Sequence, residues 1–225
     1  MKIIVSPGAK PLLNISSVLP SPISSFAVGA TQHDIIKEPT IYGGDYYCAL
    51  ENGGPITQAF LAAIALYPAY RDDCIFDSKV VQLMPGMYPA IPGWHCDEIK
   101  RTEGKIDCSK FHDNDPKAHF IGIVDFTISR TKFLEADVTL PYSENLWKDL
   151  HKLIETDTSL DEADFFYAES KKIYRMNYQC IHTATPATQQ GWRWFGRLTL
   201  NTERNHTNEL RKQCNVYVDV DNSGW

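Results

Sequence analysis

The chain has 225 residues, 43 % of them hydrophobic and 22 % charged, with a formal net charge of −6. That length suits one well-buried core, and the acidic balance disfavours a protein whose task is to grip phosphate backbones. No run approaches the roughly 18 apolar residues of a membrane span, and the start Met1-Lys2-Ile3-Ile4-Val5-Ser6-Pro7 is too short for a secretion signal, so a cytoplasmic, membrane-free protein is expected.

In chain order, residues 1–40 read as an irregular N-terminal arm, rich in Ser and Pro over 6–30. A strand is expected at 42–50. Residues 56–67 follow a Gly-Gly-Pro turn and predict a mostly buried helix that Pro68 ends. A further strand is expected at 78–84. A Pro/Gly-rich stretch then runs from Pro85 to Gly93 and ends in His95-Cys96-Asp97. Strands follow at 119–128 and 132–140. Residues 144–154 place Leu146, Trp147, Leu150, Leu153 and Ile154 on one stripe, which predicts an amphipathic helix covering the back of a sheet. Strands at 173–182, 191–200 and 214–220 precede a flexible tail at 219–225. The fold class read from this order is mainly β with flanking helices, a barrel or sandwich in a single domain over 1–225. The six cysteines are scattered with no Cys-x-x-Cys, which predicts buried free thiols rather than a zinc ribbon.

Three segments carry candidate chemistry. On an extended backbone residues i and i+2 share a face, so His95 and Asp97 can reach one metal while Cys96 points away. Seven histidines and 28 acids in 225 residues give about one such pair by chance, so the motif is weak alone. Near the other end, the expected strand 173–182 puts Tyr174, Met176, Tyr178 and Cys180 on one face that finishes in His182. Next, alternation sorts 191–200 into a face of Trp192, Trp194, Gly196, Leu198 and Leu200 and a face of Arg193, Phe195, Arg197 and Thr199. The Trp/Leu face is expected under a helix such as 144–154. The other face then carries two guanidinium groups inward, where they need anionic partners.

Together, His95-x-Asp97, His182, Arg193 and Arg197 resemble the motif of the iron(II)/2-oxoglutarate-dependent dioxygenases, in the pattern of the taurine dioxygenase and phytanoyl-CoA hydroxylase branches. The resemblance spans residues 85–200, and the phrase from His182 to Arg197 also resembles small phage-encoded members. It implies a double-stranded β-helix (jelly-roll, cupin-like) core. Two imidazoles and a carboxylate would hold Fe(II) and leave open positions for the cosubstrate 2-oxoglutarate. Arg193 would grip the cosubstrate's far carboxylate. Thr127, on the strand after His-x-Asp, is a candidate polar contact to the cosubstrate. Arg197 would bind an anionic small-molecule substrate or share the cosubstrate. Tyr88, Trp94 and Tyr178 are candidate pocket walls, and His33, His112, His151 and His206 are expected at the surface. Two other readings stand beside the oxygenase: a cupin-like metal-binding module or isomerase, and a non-catalytic jelly-roll protein in which the three ligands fail to converge.

Overall fold

The computed structural model describes residues 2–5, 10–26, 29–65, 70–111, 117–212 and 214–218. The expected tail at 219–225, His112 and the Pro68 end of the first helix lie outside the described residues. The described chain is mostly β. Its strands are β1 (Lys2–Val5), β2 (Leu12–Ser16), β3 (Ser21–Ser25), β4 (Thr40–Tyr42), β5 (Cys74–Leu83), β6 (Arg101–Thr102), β7 (Lys105–Ile106) and β8 (Ala118–Asp125) in the first part. They continue as β9 (Thr131–Leu134), β10 (Ala136–Pro141), β11 (Phe165–Tyr167), β12 (Lys172–Met176), β13 (His182–Ala184), β14 (Gly191–Leu200) and β15 (Glu209–Arg211). The helices are α1 (Gln32–Lys37), α2 (Tyr46–Asn52), α3 (Pro55–Ile64) and α4 (Leu146–Thr156). Among the described residues no helix is long and apolar enough to cross a membrane.

The largest sheet has the order β3-β12-β8-β14-β5, antiparallel throughout. A smaller antiparallel sheet has the order β11-β9-β13, and a β-bridge between His95 and His182 extends it. A third sheet, β1-β10-β2, carries α4. The expected irregular arm is therefore structured. It supplies β1 and β2 to the third sheet, β3 to the edge of the large one, and α1. Its period-two burial, with Leu13 and Ile15 inside and their neighbours outside, is the reason.

Strands β5, β8 and β14 of the large sheet bury both faces. On the outer face, Trp194 and Leu198 of β14 join Phe76 of β5, Val124 of β8 and Phe60 of α3 in one core. The helix over the Trp/Leu face is thus α3, not residues 144–154. Helix α4 instead packs Leu146, Trp147, Leu150 and Ile154 on Leu13, Ile15, Val138 and Trp94. Gly122 and Gly196 sit opposite each other across β8 and β14. A β-carbon on Gly122 would come within 2.7 Å of the Phe60 ring, and one on Gly196 within 2.4 Å of Trp194. The glycine pair makes the hollow in which these two rings meet, 5.6 Å apart.

Of residues 42–50 only Tyr42, the end of β4, lies in a strand, and helix α2 begins at Tyr46. Asp45 accepts a hydrogen bond from Cys48 N at 2.7 Å and starts α2, which overrides the β-propensity of the tyrosines. Helix α3 has glycine at its N-cap, and its amides are met from elsewhere. The buried Glu38 carboxylate accepts from Ile56 N at 2.6 Å and from the Thr57 hydroxyl at 2.8 Å. Residues 132–140 divide at Glu135 into β9 and β10, which belong to different sheets. Residues 173–182 divide likewise into β12 and β13, and of 214–218 only Tyr217 pairs, with Tyr88. All six cysteines are unpaired.

Candidate metal centre

A cavity of about 1070 Å³ opens between the large sheet and the small one. The large sheet lines it with Asp77 and Lys79 of β5, Ile121 of β8, Met176 of β12, and Arg193, Phe195 and Arg197 of β14. The small sheet and its bridge contribute Thr131, His182, His95 and Asp97. Residues 209–212, Cys214, Asn215 and Tyr217 also line it.

Local chain chemistry sets the His-x-Asp pair. Gly93 has φ +119°, in the left-handed region that glycine tolerates, and its amide is held by the Thr183 hydroxyl at 3.2 Å. This turn aims the Gly93 carbonyl at His95 Nδ1, 2.9 Å away. The bridge to His182, with N···O distances of 3.0 and 2.9 Å, keeps the backbone extended here. His95 and Asp97 therefore face the cavity together, and Cys96 turns into the core under α4. His182 arrives at the same point because Asn177 makes a turn after β12, its side chain accepting from Gln179 N at 2.9 Å, and moves the chain into the small sheet. His182 Nδ1 meets the Cys180 carbonyl at 2.9 Å.

Carbonyls only accept, so both histidines carry their proton on Nδ1 and turn an Nε2 lone pair outward. The two Nε2 atoms and the Asp97 carboxylate lie within 4.8 Å of one another, with each Nε2–carboxylate distance 3.8 Å. Burial, helped by His182, lowers the His95 pKa to about 4, so that ring is neutral at pH 7. Burial works to raise the Asp97 carboxyl, but Arg197 and then His182 hold it well below the usual carboxylate range. Two imidazoles and one carboxylate on one side of a cavity fit a divalent transition metal such as iron(II).

Arg197 is engaged in this structure. Its Nη1 donates to Asp97 at 2.9 Å and its Nη2 to Asp77 at 3.2 Å. Burial would depress its pKa, but Asp97 and Asp77 hold it well above the ordinary arginine value. Asp77 is gripped in turn by Arg204 at 2.6 and 3.0 Å, and Arg204 also reaches Glu98 at 3.4 Å. The guanidinium expected to meet a substrate is instead bonded to Asp97 and Asp77.

Arg193 is different. It is buried at 4 % exposure, and its Nε donates to the Ser129 carbonyl at 3.0 Å. Among the described residues no carboxylate lies within 4.0 Å of it. Burial pushes its pKa down to about 10, with Asp125 acting in the opposite direction. Thr127 does not line the cavity. It sits in the turn after β8, where Asp125 accepts from its hydroxyl at 2.6 Å and from its amide at 2.8 Å. Trp94, Tyr88 and Tyr178 are not cavity walls either; Trp94 lies in the core under α4, and the aromatic lining is Tyr42, Phe195 and Tyr217. His33 and His206 are exposed, whereas His151 is half-buried with its Nδ1 unpaired.

No protein-family model matches the chain, and no curated protein does. Among solved structures it is similar to an N-substituted L-amino acid dioxygenase from Burkholderia ambifaria AMMD, at 12 % identity and TM-score 0.37 over 57 % of this chain and 50 % of that one. It is also similar to EvdO2 from Micromonospora carbonacea var. aurantiaca complexed with 2-oxoglutarate, at 10 % identity and TM-score 0.34 over 71 % and 66 %. A third is the nickel complex of the non-heme monooxygenase ThoJ, at 12 % identity and TM-score 0.36 over 83 % and 74 %. The chain spans half the length of the first of these structures and just under two thirds of the second.

Proposed function

We propose that this chain is one double-stranded β-helix domain acting as an Fe(II)- and 2-oxoglutarate-dependent dioxygenase, with His95, Asp97 and His182 as the metal ligands. The observation that carries this reading is the meeting of three donors with preset lone pairs in the same cavity as a buried arginine without a carboxylate partner among the described residues. A purely structural jelly roll gives no reason for that convergence.

Each side chain then has a defined task. His95 and His182 present Nε2, held in place by the Gly93 and Cys180 carbonyls. Asp97 would be the carboxylate ligand, held in place by the hydrogen bond that its Oδ2 accepts from Arg197. Arg193 would hold the far carboxylate of 2-oxoglutarate, which would supply its missing counter-charge. Thr131, buried on β9 and lining the cavity, replaces Thr127 as the hydroxyl beside the cosubstrate. Ile121, Met176 and Phe195 keep water away from the reacting atoms. The iron with its cosubstrate supplies oxygen activation coupled to oxidative decarboxylation of 2-oxoglutarate; the protein supplies binding, orientation and exclusion of water.

Anaerobic titration with iron(II) and 2-oxoglutarate tests this reading. Wild type should develop a weak visible absorption band that disappears in His182→Ala. Arg193→Ala should raise the 2-oxoglutarate concentration needed for the band at least tenfold. Iron binding without any band in wild type would leave only a metal-binding module and remove the oxygenase.

A further inference from the structure

Resting on the reading above, we infer that the substrate of this centre is an organic anion whose charged group is held by Lys79. The charge of Arg197 is already matched by Asp97 and Asp77, to which its two terminal nitrogens donate. Asp77 is likewise matched by two arginines and Glu209 by Arg211, and Lys212 is exposed to solvent. Lys79 and Arg193 are the exceptions among the buried and half-buried lining residues.

Lys79 lies on β5 directly opposite Phe195, on the inward face with Asp77 and Val81. Its ammonium donates to the Pro89 carbonyl and stands 5.5 Å from the centre of the Tyr217 ring. Among the described residues no carboxylate lies within 4.0 Å of it. An ammonium carries three donors, so two remain for a ligand. Burial, with Arg193 adding to the effect, lowers its pKa to about 8. Two cations on neighbouring strands, the buried Arg193 and the half-buried Lys79, repel each other and disfavour the empty cavity. One carboxylate of the cosubstrate balances Arg193 and leaves Lys79 without a counter-charge. Phe195 and Tyr217 flank Lys79, and the cavity lining continues through the apolar Ile121 and Met176 on the strands beyond β14. A molecule with an apolar body and one anionic head matches both features.

The test is calorimetric titration of the full chain, loaded with zinc(II) and 2-oxoglutarate so that no turnover occurs. The probes are benzoate, benzenesulfonate and phenyl phosphate, with benzamide as the neutral comparison. At least one anion should bind tenfold or more tighter than benzamide, and the tightest names the head group. Lys79→Met should lose that tenfold preference while binding benzamide unchanged, and Lys79→Arg should keep it. Arg193→Ala, titrated without 2-oxoglutarate, should also keep it. Equal binding of anions and benzamide in wild type, or an anion preference that survives in Lys79→Met, overturns the inference. So does a 2-oxoglutarate requirement raised as far by Lys79→Met as by Arg193→Ala, since Lys79 would then belong to the cosubstrate. Failure of the oxygenase reading shows separately, as absence of metal-dependent 2-oxoglutarate binding in wild type. The anion series repeated without metal remains readable in that event.

Discussion

Replacing Arg197 with leucine should destabilise the metal-free protein and do so less when a metal is bound. The pair it breaks is Arg197 Nη1 to Asp97 Oδ2 at 2.9 Å, between side chains only 20 % and 18 % exposed. Asp77 keeps its two bonds to Arg204 in the variant, so the loss falls on Asp97. Removing one member of a buried pair costs about 3–5 kcal/mol, because the remaining charge is left desolvated. The partial exposure of both groups puts the expected value near the lower end, about 3 kcal/mol. For a chain of this size that is a fall in Tm of roughly 6–12 °C. The assay is thermal unfolding in chelator and again with saturating zinc(II). A divalent cation between His95, Asp97 and His182 supplies part of the missing positive charge, so zinc should narrow the gap between variant and wild type. In an Asp97→Asn background Arg197→Leu should cost less, with a coupling in the range of about 0.5–3 kcal/mol. A loss below about 1 kcal/mol in chelator, or a gap that widens with zinc, would refute the claim that Arg197 balances Asp97.

Two further outcomes concern stability. Burial works to raise the Asp77 carboxyl, but the hydrogen bonds from Arg204 and the charge of Arg197 lower it from 3.8 to about 2. A carboxyl depressed on folding stabilises above its unfolded pKa and loses that contribution as pH falls through its folded pKa. Asp77→Asn should therefore be less stable than wild type at pH 7, and the difference should shrink between pH 4 and pH 2 in urea unfolding. A difference independent of pH would exclude the ion pairs as its origin. Gly122→Ala should destabilise by about 1–3 kcal/mol through overpacking, since its β-carbon would meet the Phe60 ring at 2.7 Å. Trimming that ring in Gly122→Ala/Phe60→Leu should return part of the loss, read as the shift in urea midpoint.

What the sequence disclosed follows the physics of short range. Strand β14 was legible to the residue because both of its faces are decided, one by Trp194 and Leu198 and the other by Arg193 and Arg197. The His95/Asp97 parity was legible for the same reason. What covers a face was not legible, since Trp194 finds Phe60 from α3, a helix more than a hundred residues earlier. Strand ends were misread where one side chain outweighs a β-favouring run, as Asp45 does by capping α2 and Asn177 by turning the chain after β12. Thr127 was misassigned because Asp125, two residues before it, takes its hydroxyl. Lys79 gave no signal, as a lone lysine on a strand reads as solvated.

Arg197 shows where parity stops and register takes over. Alternation turns it inward, but its partner depends on which residue of β5 stands across from it, and the β14–β5 register sets Asp77 there. Asp77 draws in Arg204, and Arg204 draws in Glu98, next to Asp97 in the chain. The loop bearing the His-x-Asp pair is thereby tied to the large sheet through charges and to the small sheet through the His95–His182 bridge. A slip of β14 by one residue would turn Arg197 onto the Phe60 face and leave Asp97 uncompensated between two imidazoles. The register that packs Trp194 against Phe60 and the register that sets Arg197 against Asp97 are therefore one and the same, so selection for a dry outer core also fixes the candidate centre on the other face.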